Sequence, residues 1–180
     1  SFKKAFELYA MAVELGHVSA MFNLGCLYRD GQGVVKSFKK TAELYTMAVE
    51  QGDIYAMTNL GLLYEDGKGV VQSFKKAAEL YTMAAEQGHV DAMYNLGNLS
   101  IQGNGVDQSN VLAREWWTKA ANEGIEEAIK NLKMLDEMEA TKAAATPTTT
   151  TTTTSSRCCA ACNTPQTDDH PLNRCKCHSV

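Results

Sequence analysis

The chain has 180 residues, a formal net charge of −4, 44% apolar residues and 21% charged ones, which suits a globular protein of one ordinary domain with a small appendage. The acidic balance argues against nucleic acid as the main partner. No window approaches the ~18 apolar residues of a membrane span, and no signal peptide is visible.

The elements follow a period of 36 residues. Ser1, Ser37, Ser73 and Ser109 open four blocks in one register, and the second and third blocks match at 24 of 36 positions. A fixed period of this size predicts a stacked helical solenoid, an architecture that offers extended binding surfaces. Within block two, Ser37 can cap a helix start. Ala42, Leu44, Tyr45, Ala48 and Val49 recur at helical spacing, and Gly52 can end the helix. Asp53 caps a second helix with the stripe Ile54, Ala56, Met57, Leu60, Gly61 and Tyr64, which DGKGVVQ breaks. The same logic predicts helices over 2–15, 18–29, 38–51, 54–65, 74–87, 90–101, 110–123 and 126–138, and essentially no strand before residue 157.

Small residues form columns where helices would approach closely: Ala20, Ala56, Ala92 and Ala128, and Gly25, Gly61 and Gly97. The missing side chain there offsets the ~1 kcal/mol cost of a glycine inside a helix. Met11, Met47 and Met83, like Met21, Met57 and Met93, read as core filler. Met leads no block: the chain opens on Ser1 inside a repeat and reads as a fragment.

These residues carry a family resemblance. The pattern A-M-x-N-L-G-x-L-Y-x-x-G-x-G-V, followed by K-x-A-x-L-Y-x-x-A-x-x-x-G, resembles the SEL-one-like repeat, a relative of the tetratricopeptide repeat. It is complete over 18–52 and 54–88, and the likeness extends over roughly 1–135. It implies an all-α fold, a right-handed α-α superhelix acting as an adaptor between proteins. Two positions depart from the pattern. Ser100 stands where the family prefers tyrosine. Lys133 stands in the glycine column, and block four continues as a longer polar helix, as a C-terminal cap does. A fifth repeat is not expected.

Asn23, Asn59, Asn95 and Asn131 share one column, beside the variable column Phe22, Thr58, Tyr94 and Lys130. An asparagine ladder can hydrogen-bond a bound peptide backbone, with its variable neighbours setting specificity. On this reading Asn23, Asn59, Asn95, Thr58, Tyr94 and Lys130 line a partner groove. The simpler account is that each asparagine bonds locally. Lys3/Lys4, Lys39/Lys40 and Lys75/Lys76, with Glu7, Glu43 and Glu79 three and four residues on, read as a solvated, salt-bridged face. His17 and His89 follow helix-ending glycines and read as turn residues. No catalytic constellation or phosphate loop stands out in the repeats.

The solenoid is assigned to 1–140, in blocks 1–36, 37–72, 73–108 and 109–144. Residues 141–157, with seven consecutive threonines at 148–154, read as a tether with no apolar face to repay ordering. O-glycosylation there would require a secreted parent. Five of the six cysteines fall in 158–177, and only Cys26 lies elsewhere. Such clustering points to metal or local redox chemistry. Cys159-x-x-Cys162 and Cys175-x-Cys177 suit tetrahedral zinc, which would supply the folding free energy of so small a module. Cys158 is an alternative to Cys159, and His170 and His178 are reserve ligands.

The segment 159–180, with Leu172, Arg174, Cys175, Cys177 and His178, resembles the first half of a MYND-type zinc finger, though its second cysteine pair is one residue short. That family interleaves two zinc sites, which implies that the two cysteine pairs here belong to different, half-built sites. An unstructured cysteine-rich tail is the plain alternative. The expected function is a non-enzymatic, monomeric adaptor that binds proteins or peptides in its concave groove and zinc in its tail, in the cytoplasm or nucleus. Two alternatives remain: a client-recognition subunit of a ubiquitin-ligase or quality-control complex, and a non-catalytic part of a larger enzyme.

Overall fold

The computed structural model describes residues 1–145. Among them are eight α-helices and no strand: α1 (Phe2–Glu14), α2 (Val18–Asp30), α3 (Phe38–Glu50), α4 (Ile54–Asp66), α5 (Phe74–Glu86), α6 (Val90–Gln102), α7 (Asn110–Asn122) and α8 (Glu126–Ala145). Ser1–Ala143 form one compact unit, in which each of α1–α6 packs on the helix that follows it. The fold is all-α, a solenoid of 36-residue helix pairs.

The caps set the helix starts. Ser37 Oγ accepts from the Lys40 amide at 3.4 Å, and Ser73 and Ser109 do the same one and two periods later. Asp53 Oδ1 accepts from the Ala56 amide at 2.7 Å. His17 and His89 hold the same cap position with no side-chain cap bond. Each returning loop ties back to its own block: the Ser73 amide donates to Tyr64 O at 2.9 Å. Gly69 sits at φ 74°, and a Cβ there would collide with the main-chain carbonyl of Phe38, so both its backbone angle and its surroundings call for glycine.

The glycine column makes room for a ring. A Cβ on Gly25 would lie 2.6 Å from the Tyr45 ring, one on Gly61 2.5 Å from Tyr81, and one on Gly97 2.5 Å from Trp117. Tyr45 and Tyr81 are fully buried as a result. The alanine column Ala20, Ala56, Ala92 and Ala128 is buried alongside. The main core cluster runs from Met21 through Tyr45, Leu60 and Tyr81 to Leu99. A second gathers Trp117 with Ala113, Ala128 and Leu135, and a third gathers Leu24, Leu27 and Leu44.

Three expectations are corrected. Met21 and Met57 are core residues, but Met11, Met47 and Met83 are exposed, because that position on α1, α3 and α5 faces away from the helices packed on them. The lysine column is not salt-bridged. The ion pairs among the described residues are Arg29–Asp30, Lys68–Asp66, and Arg114 with Asp136 and Glu139. Lys40 and Lys76 stand instead over the rings of Tyr28 and Tyr64, at 4.9 and 5.0 Å. Finally, α8 runs to Ala145, past 138 and into the stretch read as tether, since ATKAAA is rich in strong helix formers and Thr141 Oγ1 bonds back to Met138 O.

Candidate functional site

The asparagine column falls on α2, α4, α6 and α8, with every member half-buried. Asn23 Nδ2 donates to Ser19 O at 2.7 Å and Asn59 Nδ2 to Tyr55 O at 2.8 Å, each one turn back along its own helix. Asn59 Oδ1 also accepts from Arg29 Nη1 of the preceding block at 3.1 Å. Arg29 is anchored by Asp30 at 2.8 Å, and that hydrogen bond holds the Asp30 carboxyl below its usual range. Asn131 Nδ2 donates to Asn98 Oδ1 at 3.3 Å. These are the local and inter-repeat bonds of the simpler account. Of the variable neighbours, Phe22 and Tyr94 are half-buried and Lys130 is exposed. Thr58 is only 3% exposed, with its hydroxyl 3.3 Å from Ile54 O and 3.2 Å from His89 Nδ1.

Aromatic rings continue the row between blocks. Phe22 stacks on Tyr45 with centroids 5.5 Å apart and meets the exposed Tyr55 at 6.1 Å; Tyr55 in turn meets His89 edge-on at 5.3 Å. At the α6–α8 end the row opens into a cavity of about 230 Å³, lined by Asn98, Ile101, Trp117, Asn131, Met134 and Met138 among others. Pockets for drug-sized ligands measure ~300–1,000 Å³, so this smaller cavity has the size for one side chain. Asn98 Oδ1 accepts from both Trp117 Nε1, at 3.2 Å, and Asn131 Nδ2. The Asn98 amide nitrogen and the Asn131 amide oxygen therefore keep donor and acceptor capacity. Met134 and Met138 stand exposed at its rim.

The sequence reading named Asn131 in the ladder but missed its partners here. A signal was available: Cys26, Leu62, Asn98 and Met134 form a second variable column at the same 36-residue spacing, three residues beyond the asparagines. Among the described residues no group of three or more His, Cys, Asp or Glu could hold a metal ion. Cys159, Cys162, Cys175 and Cys177, with Cys158, His170 and His178, lie outside the described residues. Cys26 Sγ lies 3.3 Å from Tyr45 Oη. No helix among the described residues is long and apolar enough to cross a membrane.

A family model described as Sel1 repeat matches residues 1–17, 18–53, 54–89 and 90–125. Its frame opens on the second helix of the first three blocks, at residues 18, 54 and 90. No curated protein sequence matches the chain. Among solved structures, the chain is similar to a protective antigen of uropathogenic Escherichia coli strains displaying an SLR fold (TM-score 0.72, 31% identity, covering 73% of this chain and 28% of that one). It is also similar to a Sel1 repeat protein from Oxalobacter formigenes (0.69, 32%, 73% and 54%) and to cysteine rich protein B of Helicobacter pylori (0.58, 27%, 73% and 94%). The chain spans about a quarter and about half of the first two.

Proposed function

Because the chain belongs to the Sel1 repeat family, we propose that it is a non-catalytic scaffold that binds an extended peptide of a partner protein along the row on α2, α4, α6 and α8. The observation that carries this reading is the cavity at Asn98, Trp117, Asn131 and Met134. One apolar side chain of the peptide fills it. The spare Asn98 donor and Asn131 acceptor serve one peptide unit beside it, as buried backbone groups require. Asn23, Asn59, Asn95, Tyr94 and Lys130 extend the surface, and the exposed Tyr55 supplies a flat apolar contact. The buried Thr58 holds His89 in place at its edge. Client recognition for a larger complex is one use of such a surface.

The test is selection from a random-peptide library on the full chain, followed by titration of a selected peptide. Met134→Lys is expected to weaken binding at least tenfold with little loss of stability, because Met134 is 60% exposed. Lys39→Ala, on an exposed face, should leave binding unchanged. Peptides that bind both variants equally would move the site elsewhere.

For the tail we propose a zinc ion held by Cys159, Cys162, Cys175 and Cys177, supported by the spacing of the two cysteine pairs. A reducing compartment, cytoplasm or nucleus, keeps such thiols free of disulfides. Metal analysis of the full chain should find one chelator-labile zinc that Cys159→Ser removes. A chain purified with zinc present that carries none retires the proposal.

A further inference from the structure

The loops that follow α2, α4 and α6 share one shape but not one chemistry. Gly33, Gly69 and Gly105 stand at the same place in them, with φ between 72° and 76°. The residue before that glycine changes from Gln32 to Lys68 to Asn104, so only the third loop puts an asparagine ahead of it. Asn104 is half-buried and lies outside any helix. The Gly105 amide donates to no other described residue. The Asn104 carboxamide is held by one bond, from Nδ2 to Oε1 of the exposed Gln102 at 2.7 Å. Asn23, Asn59, Asn95, Asn98 and Asn131 differ. Each sits inside a helix and precedes a leucine, whose side chain crowds the next amide while the helix ladder engages it.

We infer that Asn104 is a site of spontaneous deamidation in the folded chain, the fastest such site among the described residues. The Gly105 nitrogen attacks Asn104 Cγ and closes a five-membered imide. Nδ2 leaves as ammonia, carrying the proton that the Gly105 amide gives up. Water then opens the ring: cleavage at Cγ gives aspartate, and cleavage at the main-chain carbonyl gives isoaspartate. One water enters, one ammonia leaves, and nothing is oxidised or reduced. Glycine favours the attack because it sets no side chain beside the nitrogen and leaves the backbone freest to reach the ring geometry. The bond to Gln102 slows it by no more than about tenfold, the effect of a single exposed hydrogen bond. In either product a carboxylate replaces the donor that Gln102 accepts from, and Gln102 lines the cavity of α6 and α8. Isoaspartate also adds a main-chain atom ahead of Gly105, where space is already closed: a Cβ there would collide with the main-chain carbonyl of Phe74. The loop must then lift from the start of α5.

The test incubates the full chain, folded, at mildly alkaline pH in heavy-oxygen water and maps its peptides. Label and isoaspartate should appear at position 104 at least tenfold faster than at any asparagine of α2, α4, α6 or α8. Asn104→Gln should abolish both there, because glutamine would have to close a six-membered ring. Glutamine is the residue at that loop position in block one, Gln32, so the variant should fold. In the aged chain, separated by anion exchange, the Ser109 amide that bonds to Ser100 O should exchange at least tenfold faster. An Asn104 that stays intact in the folded chain while converting in urea would overturn the inference, as would equal labelling of the helical asparagines. Unchanged exchange at Ser109 in the isoaspartyl form would refute the lifting of the loop.

Discussion

At the scale of single residues, the repeat is held by a pairing of absence with bulk. The bare backbone of Gly61 is what lets the Tyr81 ring lie flat and fully buried. Gly61→Ala should therefore cost about 1–3 kcal/mol, the usual range for overpacking, despite alanine's better helix propensity. Lys39→Ala on the exposed face should change stability by under about 0.5 kcal/mol; urea unfolding of the two variants checks the ordering. The buried rings also set an alkaline limit. Burial pushes the Tyr45 and Tyr81 phenols above the ordinary value of 10.0, with the Cys26 contact adding to the first and the Glu65 carboxylate, 2.8 Å away, to the second. A phenol whose folded pKa is raised gives stability that is complete below pH 10.0 and is lost as pH rises beyond it, because the unfolded chain ionises first. The denaturation midpoint should fall above that pH, and Tyr81→Phe should flatten the fall. A steeper fall in the variant would mean the ring is not protected. The lysine column offers a further lesson. Where Tyr28 and Tyr64 give way to Ser100, the lysine above, Lys40 or Lys76, gives way to Leu112. That joint change is written in the sequence, and only the ring contacts explain it.

At the scale of the element, the helix starts were legible because capping is a residue-type signal. Asp53 in its cap accepts from Ala56 N, so Asp53→Ala should cost about 1 kcal/mol. His17 occupies the same geometry, φ −72° and ψ 114°, without a cap bond. His17→Asp should gain about 0.5–1 kcal/mol, as supplying a missing cap commonly does. A thermal scan in which His17→Asp destabilises would show that the imidazole does more than turn the chain. The far end of α8 was less legible. Its alanines carry no stop signal, and a threonine run alone does not say where a helix ends. The cavity was legible only in the column that joins Asn98 to Met134, not in its assembly. Asn98, Trp117 and Met134 come from three helices, and nothing in local spacing says that Asn98 Oδ1 receives two donors at once. One of the two methionine columns failed for the same reason. Met47 and Met57 share composition and period, but only the stacking direction decides that one is exposed and the other buried.

At the scale of the whole stack, stability is close to a sum of repeat terms and nearest-neighbour interfaces. Each helix is then as stable as the covers on either side of it. α5 has α4 and α6 against it and buries Ala77, Ala78, Leu80, Tyr81, Ala84 and Ala85. α1 is packed from one side and buries none of its residues fully. Chemically identical cuts should thus have unequal costs. Leu80→Ala removes a side chain that is 9% exposed and should cost about 2–5 kcal/mol, the range for large-to-small core changes. Leu8→Ala removes one that is 57% exposed and should cost under about 0.5 kcal/mol. Hydrogen exchange should follow the same gradient, since local opening needs only the local interfaces to break. Amides of α1 should exchange first, and those of α4 and α5 last, near the global limit. Uniform protection from α1 to α8 would show instead that the stack opens as one unit, and that the uncovered face of α1 costs it nothing.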